Sequence, residues 1–531
     1  MSRIECQMKD YIQPFERRLA MMELRALTGS DVIPTDSDEH SSFNFSIDGG
    51  ANTERLRRNL AYWVSVGIGF LGLTAQLRAE ATFGIARNGV ALDALTETVP
   101  RLVPESLPNK RCLRYASHGL HEYRGKFFPQ LVRALMNVGQ VPEHGIVFDP
   151  MCGSGTTLVE ASMTGRVCYG LDMNPLSVFV TRVKCDVLSF EPEKLIDAYR
   201  SLVKRLAKPA KKFSSPSYFR SLPMVDQAYL KRWFSTTTLI ELDQITLSIQ
   251  SLKSSSMRDF FLVCLSNILR RMSWQKDADL RVRKELSTLS SGEVTSEFVN
   301  EALRSTKNVA AFLVGRDKRT IGNHTVLERD ARASSKVWPD LAGKVDAVIT
   351  SPPYATALPY LDTDRLSLIY LGLLSRKDHR TRDIMMIGNR EVTERTRLRH
   401  WEAYEQNKQL LPDPTRLMIE KIEKLNRNGE AGFRRRNLAA LLAKYFFDMR
   451  SVIGQQLTML QPRGMMFMVV GNNRTVAGGR LIAIETAKHL SEIAAMLGGR
   501  VAQDLHMDML VSRDIFKKNA VPSESIITIH R

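Results

Sequence analysis

A short turn with the sequence Ser-Pro-Pro-Tyr, residues 351–354, carries the clearest chemical signal in this chain. It follows an apolar run, residues 345–349, which predicts a buried strand. The two prolines fix φ and remove two backbone N–H donors, so the neighbouring carbonyl groups stay free to accept hydrogen bonds. Ser351 adds a hydroxyl group and Tyr354 adds a flat aromatic face. These groups are suited to holding a planar molecule that carries an exocyclic amino group.

A glycine loop lies far upstream of this turn. An apolar run ends at Asp149, a loop with Gly153 and Gly155 follows, and a second apolar run ends at Asp172, 23 positions after Asp149. The pattern predicts a strand–loop–helix–strand unit, in which the glycines let the backbone approach a ligand and Asp172 can accept two ribose hydroxyl groups. The G-x-G-x-x-G pattern of nicotinamide enzymes and the lysine of a P-loop are both missing from this loop.

Together these residues resemble the S-adenosylmethionine-dependent DNA amino-methyltransferases. Residues 149–157 are similar to the D-P-F-x-G-S-G-T-T signature of that family, with Met151-Cys152 in place of the usual aromatic pair. Residues 351–354 match the S-P-P-Y form of its catalytic motif, and residues 121–130 resemble its methionine-contacting segment, which has a K-F-x-P core. The resemblance covers about residues 115–190 and 325–531.

The resemblance implies two sets of site residues. The cofactor S-adenosylmethionine would be bound by Lys126, Phe127, Phe128, Asp149, Pro150, Gly153, Gly155, Thr156, Asp172 and Asp330. The catalytic residues would be Ser351, Pro352, Pro353 and Tyr354. Asp330 follows another strand-like run and would face the adenine of the cofactor, although a role as a turn or N-cap residue stays open.

The first residue of the catalytic motif bears on the target base. In the family that the chain resembles, serine at this position is associated with methylation of cytosine N4, and Asp or Asn mostly with adenine N6. The resemblance therefore implies a site-specific DNA methyltransferase that modifies N4 of a flipped-out cytosine. Methylation of adenine N6 is the alternative, because both targets are amino groups beside a ring nitrogen. A catalytically silent protein that binds S-adenosylmethionine and DNA is a further alternative, but both motifs are intact.

The charge of the chain favours a polyanionic partner. It contains 75 Lys and Arg against 57 Asp and Glu, a net charge of +18. Such an excess is typical of proteins that bind polyanions, and the resemblance implies that the partner is double-stranded DNA. Two basic segments, 270–284 and 376–436, could contact phosphates, although charged runs are often only solvated surface. The predicted DNA-binding residues are Arg270, Arg271, Arg434, Arg435 and Arg436. Six cysteines without a C-x-x-C pair predict reduced thiols, no bound metal and a cytoplasmic protein.

The motifs require an α/β fold that places strand ends side by side. Strands alternate with helices, which predicts a doubly wound, mostly parallel methyltransferase sheet of the Rossmann-like type. Its core would comprise residues 111–190 and 325–531, interrupted by a helical insertion at 191–324. A basic insertion at 376–440 is a candidate for DNA recognition, and residues 526–529 would form an edge strand.

Residues 1–110 predict an N-terminal accessory region in which 1–30 are helical and 31–53 form a polar linker. Residues 60–77 lack charge and reach the lower length limit of a membrane span. Three glycines and charged flanks favour a buried helix there over a membrane anchor. No signal peptide is visible. The sequence does not identify a cognate restriction or phage-defence component, which is a candidate partner.

Overall fold

The computed structural model describes most of the chain. The described residues are 3–35, 43–67, 72–101, 107–123, 125, 127–207, 217–276, 283–316, 321–355, 360–389, 392–427, 432–502, 505–508 and 523–531. Lys126, one of the predicted cofactor-binding residues, lies outside them.

The N-terminal region contains a small antiparallel sheet. Its elements are β1 (Arg3–Met8), α1 (Pro14–Thr28), β2 (Ile33–Pro34), β3 (Asn44–Asp48), α2 (Thr53–Asn59), β4 (Trp63–Val66), α3 (Ala75–Arg87) and α4 (Leu95–Thr98). The strand order is β2-β3-β1-β4. The expectation of a helical segment followed by a linker was wrong in part, because β1 pairs with β3 along residues 3–7 and draws part of the polar segment into the sheet.

The charge-free segment 60–77 is not one buried helix, contrary to the sequence-based expectation. Trp63 opens strand β4 and is fully buried. Thr74 caps α3 by accepting a hydrogen bond from the backbone N–H of Leu77. Residues 68–71 are outside the described ranges. Gly67 has a φ of +84°, a left-handed conformation that ends the strand. No helix within the described ranges has the length and apolarity needed to span a membrane.

The central sheet begins in the next part of the chain and is completed much later. The first part contains α5 (Pro129–Val138), β5 (Ile146–Asp149), α6 (Thr156–Met163), β6 (Val167–Asp172) and α7 (Pro175–Asp186). The described residues that follow form the helices α8 (Pro192–Leu206), α9 (Ser217–Ser221), α10 (Met224–Leu230), α11 (Thr236–Gln250), α12 (Ser255–Leu269) and α13 (Glu293–Gly315).

The remaining elements complete the sheet and cover it. They are β7 (His324–Glu328), α14 (Ser334–Val337), β8 (Val345–Thr350), α15 (Tyr360–Tyr370), α16 (Arg376–Met385), α17 (Glu394–Asn407), α18 (Asp413–Arg427), α19 (Phe433–Met459), β9 (Leu460–Gly471), β10 (Asn473–Ala477), β11 (Arg480–Ile484), α20 (Thr486–Met496), β12 (Arg500–Val501), β13 (Leu505–Asp508) and β14 (Ser523–His530). The basic segment 376–440 thus consists mainly of α16, α17, α18 and the start of α19.

The central sheet has the strand order β12-β14-β9-β8-β5-β6-β7, and β13 also pairs with β14. The five strands from β9 to β7 are parallel, whereas β14 pairs antiparallel with β9. This confirms the predicted fold class. The expectation of an edge strand at residues 526–529 was wrong, because β14 pairs with β9 on one side and with β12 and β13 on the other.

Helices cover both faces of the central sheet. Val147 belongs to an apolar cluster that includes α5, α6 and the N-terminal sheet, whereas its neighbour Phe148 belongs to a second cluster with α19 and α20. Successive residues of a strand point to opposite faces, so a strand covered on both sides must be apolar throughout. This arrangement leaves the carboxyl ends of β5, β6 and β8 side by side at one edge.

Candidate functional site

A cleft opens at the carboxyl ends of β5, β6, β7 and β8. It collects residues from the loops that follow these strands, from the segment before α5 and from the end of α16. The lining residues are Tyr123, Gly125, Phe127, Pro150, Met151, Cys152, Gly153, Ser154, Thr156, Asp172, Met173, Arg329, Asp330, Ala331, Ser351, Pro353, Met386 and Ile387. Both sequence motifs therefore face one cleft, as expected for ligand sites in open α/β sheets.

The glycine loop makes a tight turn into α6 at two positions that require glycine. Gly153 and Gly155 have φ values of +50° and +79°. A Cβ atom on Gly155 would lie 2.7 Å from the Thr181 methyl group, so this glycine shapes the turn from behind the cleft. Thr181 also donates a hydrogen bond of 3.0 Å to the Gly153 carbonyl. The loop is held in place before any ligand enters.

Asp172 ends β6 and closes the glycine loop onto it. Its carboxylate accepts hydrogen bonds of 2.8 Å from the backbone N–H groups of Gly153 and Asn174. Burial raises the pKa of Asp172 to about 6, against the opposing effect of these N–H donors. Each carboxylate oxygen retains accepting capacity towards the cleft, because it has more than one lone pair.

Asp149 supports the same loop from underneath. It is fully buried, is not among the lining residues, and accepts a hydrogen bond of 3.1 Å from the backbone N–H of Met151. Burial raises the pKa of Asp149 to about 7. Asp149 therefore orients the loop, and its predicted contact with the cofactor stays a prediction.

Asp330 lines the cleft and also caps the short turn after β7. Its carboxylate accepts a hydrogen bond of 2.9 Å from the backbone N–H of Arg332 and pairs with the Arg332 guanidinium at 2.7 Å. Arg332 in turn pairs with Asp448 of α19 at 2.7 Å. Burial opposes ionisation of Asp330, but the hydrogen bonds from Arg332 outweigh it and hold the pKa of Asp330 below its usual range. The turn or N-cap role left open by the sequence is therefore present alongside exposure to the cleft.

The catalytic turn follows β8 directly. Ser351 and Pro353 line the cleft, and Pro352 is buried beneath them. Tyr354 is half-buried beside the cleft, and its hydroxyl group donates a hydrogen bond to the carboxylate of Glu524 on β14. Burial raises the pKa of Glu524 above its usual value, although the Tyr354 hydroxyl lowers it in part. The last strand of the sheet thereby anchors the aromatic ring of the motif.

The segment before α5 forms one wall of the cleft. Phe127 lines it, whereas Phe128 points to Arg111, whose guanidinium lies 4.4 Å from the ring centroid. Tyr123 lies against the glycine loop, with a ring carbon 3.2 Å from where a Cβ of Gly153 would stand.

The lining also contains apolar residues outside the predicted site, among them Met173, Met386 and Ile387. Met173 could have been found as the neighbour of Asp172. No sequence motif around Met386 and Ile387 predicts that they line the cleft, because the packing of α16 brings them there.

The predicted DNA-binding arginines differ in their surroundings. Arg271 pairs with Glu297 at 2.7 Å and lies 3.6 Å from Glu301, so its charge is partly neutralised. Arg270 donates a hydrogen bond of 3.1 Å to the Lys276 carbonyl. In contrast, Arg434, Arg435 and Arg436 are exposed in the first turn of α19. Cations in a first helical turn are disfavoured by the helix dipole, so an anion bound next to them would offset this repulsion.

Comparisons with known proteins identify related chains. A family model described as "RMKL-like, methyltransferase domain" matches residues 121–206, which include the glycine loop. The Type II methyltransferase M.MvaI of Kocuria varians is 26% identical over 394 residues, covering 71% of this chain and 80% of the relative. The Type II methyltransferase M.AvaI of a Nostoc species is 24% identical over 432 residues, covering 77% and 84%. Similarity to M.BsoBI of Geobacillus stearothermophilus, also a Type II methyltransferase, is 26% over 298 residues.

The chain is a methyltransferase, and S-adenosylmethionine is its methyl donor. The cleft fits this molecule in three respects. The loop at Gly153 has no side chain to obstruct the ligand, Asp172 offers carboxylate oxygens to hydroxyl donors, and Phe127, Met151 and Ile387 supply apolar walls. The cofactor contacts of the individual residues stay predictions, and the structure shows that Asp149 and Gly155 shape the loop from behind the cleft.

Proposed function

We propose that the protein is a site-specific DNA methyltransferase that transfers the methyl group of S-adenosylmethionine to the exocyclic N4 of a cytosine flipped out of the duplex. One observation carries the proposal. Ser351 and Pro353 of the catalytic turn line the same cleft as Gly153 and Asp172 of the glycine loop. An amino group held at the turn would therefore stand next to a cofactor held at the loop.

The turn supplies acceptors for the amino group. The lone pair of cytosine N4 is delocalised into the ring, which makes it a poor nucleophile. Hydrogen bonds from the amino group to Ser351 Oγ and to the Pro352 carbonyl would orient the nitrogen and favour its pyramidal form. Bound S-adenosylmethionine supplies an electrophilic methyl group on a sulfonium. Holding the two groups in line is the main requirement for transfer, and the proton can leave to Ser351 or to water.

Tyr354 would support the flipped base. A target base inside a duplex is inaccessible, so the enzyme must extrude it into a pocket and stabilise it there. The hydroxyl group of Tyr354 is anchored by Glu524, which restricts the orientation of the ring. A ring that is already oriented loses little entropy when a base stacks on it. Its half-buried position beside the lining residues is compatible with stacking on a base that enters the cleft.

DNA is proposed as the substrate on the basis of charge and relatives. The net charge of +18 favours a polyanion, and the exposed arginines of the first turn of α19 offer phosphate contacts. Several relatives are Type II methyltransferases, which supports a modification enzyme of a restriction–modification system. Ser351 at the first position of the catalytic turn supports cytosine N4 as the target, and a cognate nuclease would be the matching partner.

The decisive experiment identifies the methylated nucleoside. The purified protein is incubated with methyl-labelled S-adenosylmethionine and with genomic DNA of varied composition, and the digested nucleosides are separated by mass spectrometry. We expect labelled N4-methylcytosine, and none with the Ser351→Ala variant. N6-methyladenine as the sole product would refute the cytosine assignment and leave an amino-methyltransferase. No methylated base from cofactor-loaded protein would refute both.

Calorimetry with S-adenosylhomocysteine provides the control for that experiment. Ser351→Ala should bind this product with an affinity close to that of the wild type, because Ser351 is proposed to contact the base. An inactive variant that also loses the product would indicate a damaged cofactor site. Asp340→Asn, an exposed position outside the cleft, is the matched control and should retain full activity.

A further inference from the structure

A second cavity, of about 330 Å³, lies at the amino ends of the central strands, opposite the carboxyl ends that form the cofactor cleft. It is bounded by α2, α3, the turn between α6 and β6, and the end of α13. The turn between α6 and β6 precedes the start of β6, whereas the cofactor cleft lies beyond its end at Asp172. Because each strand residue advances about 3.3 Å, the two sites are separated by roughly 17 Å along β6. This cavity plays no part in the function proposed above.

Arginine dominates the lining of this cavity. The lining contains six arginines and two glutamates, namely Arg55, Arg58, Arg78, Arg133, Arg166, Arg316, Glu54 and Glu143. Two of the arginines have acidic partners, since Arg58 pairs with Glu54 at 2.5 Å and Arg133 pairs with the buried Glu160 at 2.7 Å. For Arg55, Arg166 and Arg316, no carboxylate lies within ion-pair distance among the residues that the structure describes.

Arg166 is the most constrained of these three residues. The residue is only 3% exposed, and its guanidinium donates to neutral acceptors: to the Asn59 side chain at 2.9 Å, to the Val141 carbonyl at 2.9 and 3.3 Å, and to the Thr164 carbonyl at 3.4 Å. Burial, followed by repulsion from Arg133 and Arg55, lowers the pKa of Arg166 to about 10, and the carboxylates of Glu143 and Asp346 offset this only in part. A buried cation is costly when no counter-ion compensates it.

Arg316, which follows α13, is a second arginine of this cavity without a carboxylate within ion-pair distance in the described structure. Its Nε–H is buried and has no hydrogen-bond partner within the described part of the chain. One Nη donates a 3.4 Å hydrogen bond to the Phe190 carbonyl. Burial lowers the pKa of Arg316, and Glu191 offsets this only in part. Two arginines from separate elements therefore place positive charge at one cavity with no carboxylate within ion-pair distance among the described residues.

The cavity is too large for a simple anion and has an apolar side. Met163, Phe312 and Ile321 line it next to the arginines. Its volume falls at the lower end of the range of about 300–1,000 Å³ that is typical of small-molecule sites. A ligand that fills it would carry several negative charges and a compact apolar or aromatic group.

We propose that this cavity binds a nucleotide-class polyanion, with its phosphates on Arg55, Arg166 and Arg316 and its organic part against Phe312 and Ile321. Arginine suits such a ligand, because its planar guanidinium can bind phosphate oxygens in a bidentate manner. The occupant would neutralise the uncompensated charge and join α2 and α3 of the N-terminal region to α13 and the core.

Isothermal titration calorimetry of the full-length protein with GTP tests the proposal. The protein is first saturated with S-adenosylhomocysteine, so that the nucleotide cannot be bound in the cofactor cleft. We expect one GTP per chain. Arg55→Met and Arg316→Met should each weaken GTP binding by about tenfold or more, as expected for the loss of a charge-assisted hydrogen bond. Arg480→Met, which removes an exposed arginine outside the cavity lining, is the matched control and should bind GTP like the wild type.

The remaining ligands distinguish the alternatives. Guanosine should bind far more weakly than GTP, and inorganic triphosphate should bind more weakly than GTP but be affected by the same variants. Equal affinity for GTP and inorganic triphosphate would overturn the assignment of the organic part. Displacement of GTP by duplex DNA would overturn the small-molecule assignment. No binding of GTP, or an equal loss in the Arg480→Met variant, would overturn the proposal as a whole. Circular dichroism and urea unfolding verify that each variant is folded.

Discussion

Replacement of Asp172 by asparagine should weaken the binding of S-adenosylmethionine and of its product S-adenosylhomocysteine. The Asp172 carboxylate accepts hydrogen bonds from Gly153 and Asn174, each of 2.8 Å, and is proposed to accept the ribose hydroxyl groups as well. Asparagine keeps the shape but removes the charge and replaces one acceptor by an NH₂ donor, which would face a backbone N–H. A hydrogen bond to a charged group is worth about 1.5–3 kcal/mol, so the dissociation constant should rise roughly 10-fold to 150-fold.

The pH dependence of binding makes this prediction specific to Asp172. Burial raises the pKa of Asp172 to about 6, so the carboxylate is ionised above that pH and becomes protonated below it. Only the ionised form has its full accepting capacity, so affinity should be highest at neutral pH and fall as the pH drops through about 6. A single titrating group limits the fall to about tenfold for each pH unit.

Calorimetry with S-adenosylhomocysteine between pH 5 and pH 8 checks both effects. This range of roughly three pH units includes the pKa of Asp172. The Asp172→Asn variant should bind weakly and lose the part of the pH dependence that Asp172 contributes. Asp149 lies beneath the same loop, and burial raises its pKa to about 7, so any slope that remains in the variant would come from Asp149. Equal affinity and equal slopes in the wild type and the variant would refute the assignment of Asp172.

Three further changes test other parts of the proposed site. Tyr354→Ala should reduce methyl transfer more than Tyr354→Phe, because only alanine removes a stacking face worth roughly 1–3 kcal/mol, whereas phenylalanine loses the bond to Glu524; equal rates would exclude stacking. Replacing the arginines at 434–436 by glutamine should lower the slope of log affinity for DNA against log salt concentration by about 0.9 per lost phosphate contact. An unchanged slope would indicate that residues 270–284 make these contacts instead. Glu160→Gln leaves the buried Arg133 without a charged partner and should lower the free energy of unfolding in urea by about 3–5 kcal/mol; a loss below about 1 kcal/mol would contradict this.

The sequence alone was sufficient to predict the class of fold and the position of the two motifs. Residues 146–172 and 345–354 are local signals, because an apolar strand, a glycine turn and a proline turn each depend on neighbouring residues. The order of these motifs along the chain also predicted that both would lie at strand ends. Parallel strands align their carboxyl ends at one edge, so the cleft followed from the fold class without knowledge of packing.

Other features depended on contacts between residues far apart in the chain. The pairing of β1 with β3 and β4 places the start of the segment predicted to be helical and part of the predicted linker in a sheet, and no short window of sequence contains both partners. Tyr354 is anchored by Glu524, 170 residues away, and Met386 reaches the cleft through the packing of α16.

The arginines show most clearly which properties depend on the sequence and which depend on the tertiary structure. Composition determines that the chain is basic, but each arginine acts according to its neighbours. Arg271 is partly neutralised by Glu297, Arg332 is held by Asp330 and Asp448, and Arg166 and Arg316 face a cavity without an acidic partner in the described structure. The interaction between charges depends on distance and on local dielectric, and both are set by the tertiary structure. The sequence therefore determines the number of charges, whereas folding decides which of them remain available to a ligand.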